Sequence, residues 1–294
     1  MEYVTNLMDM SIDPVDWARR REAQGWDFVS VADHFFGTSR TCPHLWTTVG
    51  AIAAATSTVG ITTAFVNNLF RSPVEVAQAA LSAQHISGGR FELGLGAGWM
   101  RAEIDAAGLD FPEPRDRAGA FVESARIIGS LLRDGACSFD GRYYQVDIEL
   151  AGAPGCAPPP LVGAIGGPRT TREVTPLCDR VEIKPASKAT RGGSQDLELL
   201  ATVTEQDLVD LVDGVRAIDP EIGIGMMAMC GVGDDPATRR IEELLGDGLY
   251  GRFFGSPSKV AASMEWLETM GISRCQISAK DDSALDLLAP LLCR

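Results

Sequence analysis

Three short stretches of the 294-residue sequence carry residue types that could bind a ligand or transfer a proton. In residues 88–103 (GGRFELGLGAGWMRAE), an apolar, β-prone run leads into Gly94, Gly96 and Gly98. Glycines at the carboxyl end of a buried strand admit a ligand close to the backbone, because no Cβ holds it away. The dinucleotide-binding motif G-x-G-x-x-G is not matched, since Trp99 stands where the third glycine belongs.

The second stretch is Asp33-His34, which directly follows an apolar run that predicts a strand. Histidine can accept and donate a proton near neutral pH, so its position at a strand end favours a role in proton transfer. The alternatives are a packing or capping role for His34 and a turn-capping role for Asp33.

The third stretch is Gly166-Gly167, which precedes Pro168 at the predicted start of a helix. Backbone amides at a helix amino terminus suit a phosphate group, and the nearby Arg169 and Arg172 would add charge-assisted donors. This local basic cluster is unusual in a chain whose net charge is −14. Solvated helix charges are the alternative for the two arginines.

Three further residues are candidates for the wall of a substrate site: Trp99, Phe36 and Glu103. Aromatic side chains at the mouth of a site offer rigid apolar surface, although Trp99 could instead belong to the core. Glu103 could line the mouth or cap a loop.

Composition excludes several classes of protein. Hydrophobic residues make up 45% and charged residues 22%, which is ordinary for a globular protein with a sizeable core. The net charge of −14 argues against a nucleic-acid surface. The seven cysteines show no C-x-x-C spacing, which predicts a reduced cytoplasmic protein without a metal site. We expect neither secretion nor membrane insertion, since the chain lacks a signal-like amino terminus and a long apolar run.

The elements that must position these residues alternate in type along the chain. Helices are predicted at 13–24, 43–56, 72–86, 114–133, 170–177, 204–217, 236–245, 256–270 and 282–292. Strands are predicted at 3–8, 26–32, 59–66, in the run that ends in the glycines, and at 161–165, 181–183, 222–229 and 274–278. Eight alternating βα units predict an α/β protein in which a parallel sheet closes into a (β/α)8 TIM barrel, with an open doubly wound sheet as the alternative.

Two segments interrupt this rhythm. Residues 137–148 predict a hairpin inserted after strand 4, and residues 186–203 predict a long loop after strand 6 that could close over a site. No linker of disordered composition divides the chain, so residues 1–294 are expected to form a single domain.

Four blocks of the sequence resemble the bacterial luciferase-like superfamily, and most closely its coenzyme F420 (deazaflavin)-dependent oxidoreductases. These blocks are ADHFFG at 32–37, the long block at 70–123 that contains SGGRFELGLGAGW, PPPLVGAIGGPRTTRE at 158–173, and FFGSPSKVAASMEWLETMGI at 253–272. The resemblance covers most of the chain in order. It implies an eight-stranded barrel that binds a flavin-like ring at its mouth and exchanges hydride with a small organic substrate.

The resemblance also implies roles for individual residues. It places His34 and Asp33 beside the ring as catalytic residues and a non-prolyl cis peptide at Ala64-Phe65, where a bulge backs the ring. The remaining positions implied to bind the cofactor are Asn67, Gly96, Ala97, Gly98, Gly166, Gly167 and Arg169.

The resemblance leaves alternatives for the function. An FMN-dependent monooxygenase that works with a separate flavin reductase is the second hypothesis, and a non-catalytic cofactor-binding barrel is the third. In the F420 sugar-phosphate dehydrogenases an acidic residue stands where this chain has Trp99, which argues against that reaction. A homodimer is implied as well. Arg180 and Lys184 depart from the family pattern and could alter the phosphate pocket.

Overall fold

The computed structural model describes residues 1–7, 11–35, 42–149, 155–279 and 281–293. Its strands are β1 (Glu2–Leu7), β2 (Phe28–Val31), β3 (Gly60–Thr63), β4 (Val66–Asn67), β5 (Phe91–Gly96), β6 (Ala136–Asp140), β7 (Gln145–Glu149), β8 (Leu161–Ile165), β9 (Arg180–Ile183), β10 (Gly223–Val232), β11 (Phe254–Gly255) and β12 (Arg274–Ala279). Its α-helices are α1 (Pro14–Gln24), α2 (Leu45–Ala55), α3 (Pro73–Ser87), α4 (Arg101–Ala106), α5 (Pro114–Asp134), α6 (Pro168–Val174), α7 (Ser187–Thr190), α8 (Leu197–Ala201), α9 (Glu205–Arg216), α10 (Pro236–Leu245), α11 (Pro257–Thr269) and α12 (Ser283–Leu292). In this part of the chain no helix combines the length and apolar character needed to cross a membrane.

Eight of the described strands pair in parallel in the cyclic order β1, β2, β3, β5, β8, β9, β10 and β12. Val4 on β1 lies opposite Phe28 on one side and opposite Gln276 on the other, so the first strand joins the last and the sheet is closed. The predicted (β/α)8 barrel is therefore confirmed, and the open doubly wound sheet is wrong. The carboxyl ends of all eight strands meet at one mouth, where this fold places its sites.

Helix boundaries follow local signals in the sequence. The Asp13 side chain accepts hydrogen bonds from the first turn of α1, and Ser72 caps α3 in the same way; a proline follows each. Gly25 and Gly88 end these helices with φ values of 85° and 66°, a conformation that costs glycine no steric strain. Both ends lie within two residues of the positions predicted.

The predicted strand 59–66 is two strands in the structure. β3 ends at Thr63, the Ala64-Phe65 peptide bond is cis, and β4 then continues the sheet by pairing with β5. Asn67 of β4 lies opposite Gly96 of β5. β3 therefore ends before the predicted end at residue 66, and the two residues between β3 and β4 carry the cis bond.

The two predicted interruptions have different outcomes. β6 and β7 form the expected antiparallel hairpin in the connection from β5 to β8, and the Glu123 carboxylate accepts hydrogen bonds from three backbone amides of its turn. The expected loop at 186–203 instead contains the short helices α7 and α8. Asp196 caps α8 and Leu200 is buried, which explains why this segment folds locally.

Charged side chains fill the amino-terminal end of the barrel interior. Arg274 donates hydrogen bonds to Glu2 and Glu92, and Arg180 forms a salt bridge with Glu2 at 3.1 Å. Arg180 also donates to the Ser273 hydroxyl. The expectation that Arg180 could alter a phosphate pocket is therefore wrong, since this side chain lies at the end of the barrel opposite the mouth.

Candidate active site

We call the carboxyl-terminal half of the barrel interior, which is lined by partly exposed residues, the cup. It is defined by inward-facing residues that are partly exposed although their outward-facing neighbours on the same strands are buried. These partly exposed residues are Ala64, Phe65, Gly96, Ala164, Gly166, Lys184, Met227, Met229 and Ser278. The alternation shows that the interior is accessible from the mouth and closed only deeper in the barrel.

His34 and Glu103 form a pair at the rim of the cup. The Nδ1 atom of His34 lies 2.8 Å from Oε1 of Glu103, and the backbone amide of Phe35 donates to Oε2 at 3.0 Å. The Glu103 side chain is 2% exposed, whereas that of His34 is 25% exposed. A buried carboxylate at Nδ1 favours the tautomer with hydrogen on that nitrogen, so Nε2 is the nitrogen that can exchange a proton with a ligand.

Asp33 is held by protein groups. Its Oδ2 atom accepts a hydrogen bond from the Asn67 amide at 2.9 Å and another from Arg71 Nη1 at 2.5 Å, and the residue is 4% exposed. Asn67 is also buried, and its Oδ1 atom accepts from the Leu69 amide. Asp33 and Asn67 therefore tie the end of β2 to β4, a positioning role that the sequence did not predict.

The glycines at the end of β5 make room for the bulge at Ala64-Phe65. A Cβ on Gly96 would lie 3.2 Å from Phe65 Cβ, and a Cβ on Gly98 would overlap Asn67 Oδ1. Gly98 also has a φ of 80°, which side chains rarely adopt. Gly96, Ala97 and Gly98 are all partly exposed, so they border the cup, and their contact with a cofactor stays a prediction.

Gly166 and Gly167 lie at the mouth, but the arginine that follows them is partly neutralised. Their amides make long hydrogen bonds, 3.4 and 3.3 Å, to the Thr170 hydroxyl. Arg169 donates to Glu173 and to a backbone carbonyl. Burial acts to raise the pKa of Glu173, yet hydrogen bonds from Arg172 and Arg169 hold it below its usual value, so the carboxylate is charged.

The three predicted wall residues have separate outcomes. Trp99 is partly exposed and packs edge-on to His34, with 6.1 Å between ring centroids. Glu103 is too buried to line the cup and instead supports His34. Phe36 lies outside the described residues.

Two loops beside the mouth are joined to each other. The Arg101 amide at the start of α4 donates to the Gly193 carbonyl at 3.0 Å, and Arg117 Nη2 donates to the Arg191 carbonyl at the same distance. The Arg101 and Arg117 guanidinium groups both pack on the Phe111 ring. The segment 186–203 therefore lies against the loop that follows β5.

Sequence reasoning missed two residues of this region. Arg71 was not predicted, and Lys184 was noted only as a departure from a family pattern; its Nζ atom lies 4.6 Å from the centroid of the Phe65 ring. A lysine immediately after an apolar strand is a signal that could have pointed to the mouth. Among the described residues no group of three or more histidine, cysteine or acidic side chains could hold a metal ion.

The sequence matches a known protein family and curated relatives. The family model described as luciferase-like monooxygenase matches residues 13–245. An F420-dependent glucose-6-phosphate dehydrogenase from Amycolatopsis mediterranei (strain U-32) is 35% identical over 161 residues, which cover 53% of this chain and 48% of that protein. The match thus spans about half the length of this curated relative.

Solved structures share the fold over nearly the whole chain. An F420-dependent secondary alcohol dehydrogenase, solved in complex with an F420-acetone adduct, has a TM-score of 0.73 at 19% identity, with 99% of this chain and 98% of that chain covered. The coenzyme F420-dependent tetrahydromethanopterin reductase from Methanopyrus kandleri has a TM-score of 0.72 at 16% identity, with the same coverage.

Proposed function

The chain belongs to the luciferase-like monooxygenase family, and we propose that within it the protein is an oxidoreductase that exchanges hydride between coenzyme F420 and a small organic substrate. The observation that carries the proposal is the His34–Glu103 pair at the rim of an open cup bordered by Gly96 and Gly98. The F420-dependent dehydrogenase that is 35% identical over half of the chain supports this choice of cofactor.

The cup fits a flat ring carrying an anionic tail. Gly96 and Gly98 carry no side chain and are partly exposed, so the ring can lie against backbone there. The Gly166 and Gly167 amides have only long hydrogen bonds to a hydroxyl, and a phosphate would accept from them more strongly. When bound, the deazaflavin supplies the carbon that accepts or donates the hydride.

His34 supplies the proton transfer that must accompany hydride transfer to or from an oxygen-bearing carbon. Its Nε2 atom takes the hydroxyl proton of an alcohol as hydride leaves, or returns it to a carbonyl oxygen in the reverse direction. Glu103, with both oxygens occupied, holds the imidazole in place and stabilises its protonated form. Asp33 holds the β4 bulge and takes no proton in this scheme.

We propose a small alcohol or carbonyl compound as substrate rather than a sugar phosphate. Trp99, beside His34, places an aromatic wall where the resemblance implies an acid in the sugar-phosphate enzymes. Cytoplasmic location and a homodimer remain expectations from the cysteine pattern and the resemblance; analytical ultracentrifugation would measure the dimer.

Titration of the purified protein with coenzyme F420 and with FMN, followed by fluorescence, tests the proposal. We expect F420 to bind and FMN to bind at least about 10-fold more weakly, a difference of about 1.4 kcal/mol. Tight binding of FMN without binding of F420 would instead favour the monooxygenase, which also needs a reductase partner. F420 binding that supports no hydride transfer with a panel of alcohols and carbonyls, and that His34→Gln leaves unchanged, would favour the non-catalytic barrel.

A further inference from the structure

Glu182 and Lys184 occupy consecutive inward-facing positions at the carboxyl end of β9. By register, Glu182 lies between Ala164 of β8 and Gly225 of β10. A Cβ on Gly225 would overlap Glu182 Oε2, so the carboxyl group fills space that a side chain on β10 would otherwise take. Glu182 is therefore packed into the barrel interior, one pleat below Lys184.

The Glu182 carboxyl group is buried and incompletely paired. The residue is 2% exposed, and its Oε1 atom has no hydrogen-bond partner among the described residues. An ionised oxygen that is buried without a hydrogen-bond partner costs free energy. The arrangement therefore favours a protonated carboxyl group or one that pairs with a bound group.

The charges that face Glu182 come from three strands. Arg274 on β12, Arg180 on β9 and Lys184 favour its ionised form, and Glu92 on β5 opposes it. Burial outweighs them and raises the pKa of Glu182 to about 7. The raised pKa brings the carboxyl group into the range where a new charge nearby changes its protonation at neutral pH.

Lys184 connects this group to the cup. Lys184 is a partly exposed residue, and its Nζ atom lies over the Phe65 ring. Burial lowers the pKa of Lys184 while Glu182 acts to raise it. Within the described chain Lys184 makes no salt bridge or side-chain hydrogen bond, so its ammonium group has donors available for a ligand.

We propose that Lys184 binds an anionic group in the cup and that Glu182 takes up a proton when it does. The anion adds negative potential beside Glu182, which strengthens proton binding to the carboxyl group. The ligand class is a small or flat anion able to lie beside Phe65. It could come from the proposed cofactor or from a carboxylate on the substrate; the proposal rests on the cup of the proposed function but not on the identity of its cofactor.

Isothermal titration calorimetry at pH 7, in two buffers that differ in ionisation enthalpy, measures both the binding of the anion and the uptake of the proton. The probes are coenzyme F420 and, separately, benzoate as a small flat carboxylate. Wild-type protein should take up a fraction of one proton per site with the probe that contacts Lys184. Lys184→Met should weaken that probe about 10- to 100-fold, as expected when a charged hydrogen bond is lost. Glu182→Gln should still bind but lose most of the proton uptake.

The two probes distinguish the sources of the anion. If Lys184→Met loses affinity for F420 alone, the anionic group belongs to the cofactor. If it loses affinity for benzoate alone, the anionic group belongs to the substrate. The proposal would be overturned if Lys184→Met bound both probes as tightly as wild type does. It would also be overturned if Glu182→Gln took up as many protons as wild type, or if the wild-type protein bound neither probe. Binding of benzoate without F420 would contradict the proposed function and leave this inference standing.

Discussion

Nδ1 of His34 lies 2.8 Å from Oε1 of Glu103, although 69 residues separate the two in the chain. The contact joins the loop after β2 to α4, the helix that follows the glycine end of β5. The same Glu103 carboxylate accepts a hydrogen bond from the Phe35 amide, so one buried side chain orients both the imidazole and the backbone beside it. This arrangement makes Glu103 the residue on which the proton-transfer role of His34 depends.

Glu103→Gln should therefore lower kcat about 100-fold while the fold is retained. A glutamine cannot stabilise the protonated imidazole as a carboxylate does, and positioned acid–base groups contribute about 10²- to 10⁴-fold to a rate. Steady-state kinetics with F420 and an alcohol substrate measure this loss. Asp105→Asn, on the same helix but exposed, is the matched control and should leave kcat unchanged. Equal rates for Glu103→Gln and wild type would contradict the pair's role.

Gly98→Ala should destabilise the protein and weaken cofactor binding. Its φ of 80° costs a side chain about 1–2 kcal/mol, and the added Cβ would also displace Asn67, which holds Asp33. Gly108→Ala separates the two costs, because Gly108 has a φ of 71° and open space around its Cα. Thermal unfolding should show the larger loss for Gly98→Ala, and only this variant should bind F420 more weakly. A similar loss in both variants would show that the overlap with Asn67 is unimportant.

Glu182→Gln should stabilise the protein at alkaline pH. Burial raises the pKa of Glu182 from an ordinary 4.5 to about 7, so the folded state holds this proton more tightly than the unfolded state. The contribution of Glu182 to stability is therefore full below pH 4.5 and is lost as the pH rises from 4.5 through 7. A neutral glutamine avoids that loss, so the free energy of unfolding of Glu182→Gln should exceed that of wild type by about 3 kcal/mol at pH 8.

Urea unfolding at pH 5 and pH 8 measures this difference. The free energy of unfolding of Glu182→Gln should exceed that of wild type by little at pH 5 and by most of the expected difference at pH 8. Glu243→Gln, at an exposed position on α10, should differ little from wild type at either pH. An advantage of Glu182→Gln that is the same at both pH values would mean that packing, rather than titration, explains it.

Arg117→Ala should loosen the segment 186–203. The Arg117 guanidinium donates to the Pro112 and Arg191 carbonyls and packs on Phe111, and hydrogen bonds from a charged donor contribute about 1.5–3 kcal/mol. Hydrogen exchange should become faster at the amides of residues 189–193. Arg126→Ala, exposed on the same helix, is the control. Unchanged exchange in Arg117→Ala would show that the two loops are held by other contacts.

Much of the fold could be predicted because its signals are local. Capping residues such as Asp13 and Ser72 and apolar runs lie within one element, so helix and strand positions agree with the sequence to within a few residues. The helices α7 and α8, in the segment predicted as a loop at 186–203, were missed because they are too short to show a clear period. The strand at 59–66 was overextended because periodicity does not record a cis peptide bond.

The candidate site could be predicted only in part. The positions of His34, Gly96 and Gly98 at strand ends placed them at the mouth as soon as the barrel closed. The support of His34 by Glu103 and the restraint of Asp33 by Arg71 could not be predicted, since spacing along the chain carries no information on which distant side chains meet. The same holds for Lys184 and Phe65, which come from different strand ends.

The sequence by itself determined the alternation of strands and helices, the glycine end of β5 and the strand-end positions of His34 and Gly166. Hydrogen bonding and burial within single elements set these features, and each leaves a periodic or capping pattern. Only the tertiary structure decided that Glu103 supports His34, that Arg180 lies at the far end of the barrel, and that Glu182 is buried below Lys184. Closure of the barrel brings these groups together, and the distances that govern their charges exist only once the sheet is closed.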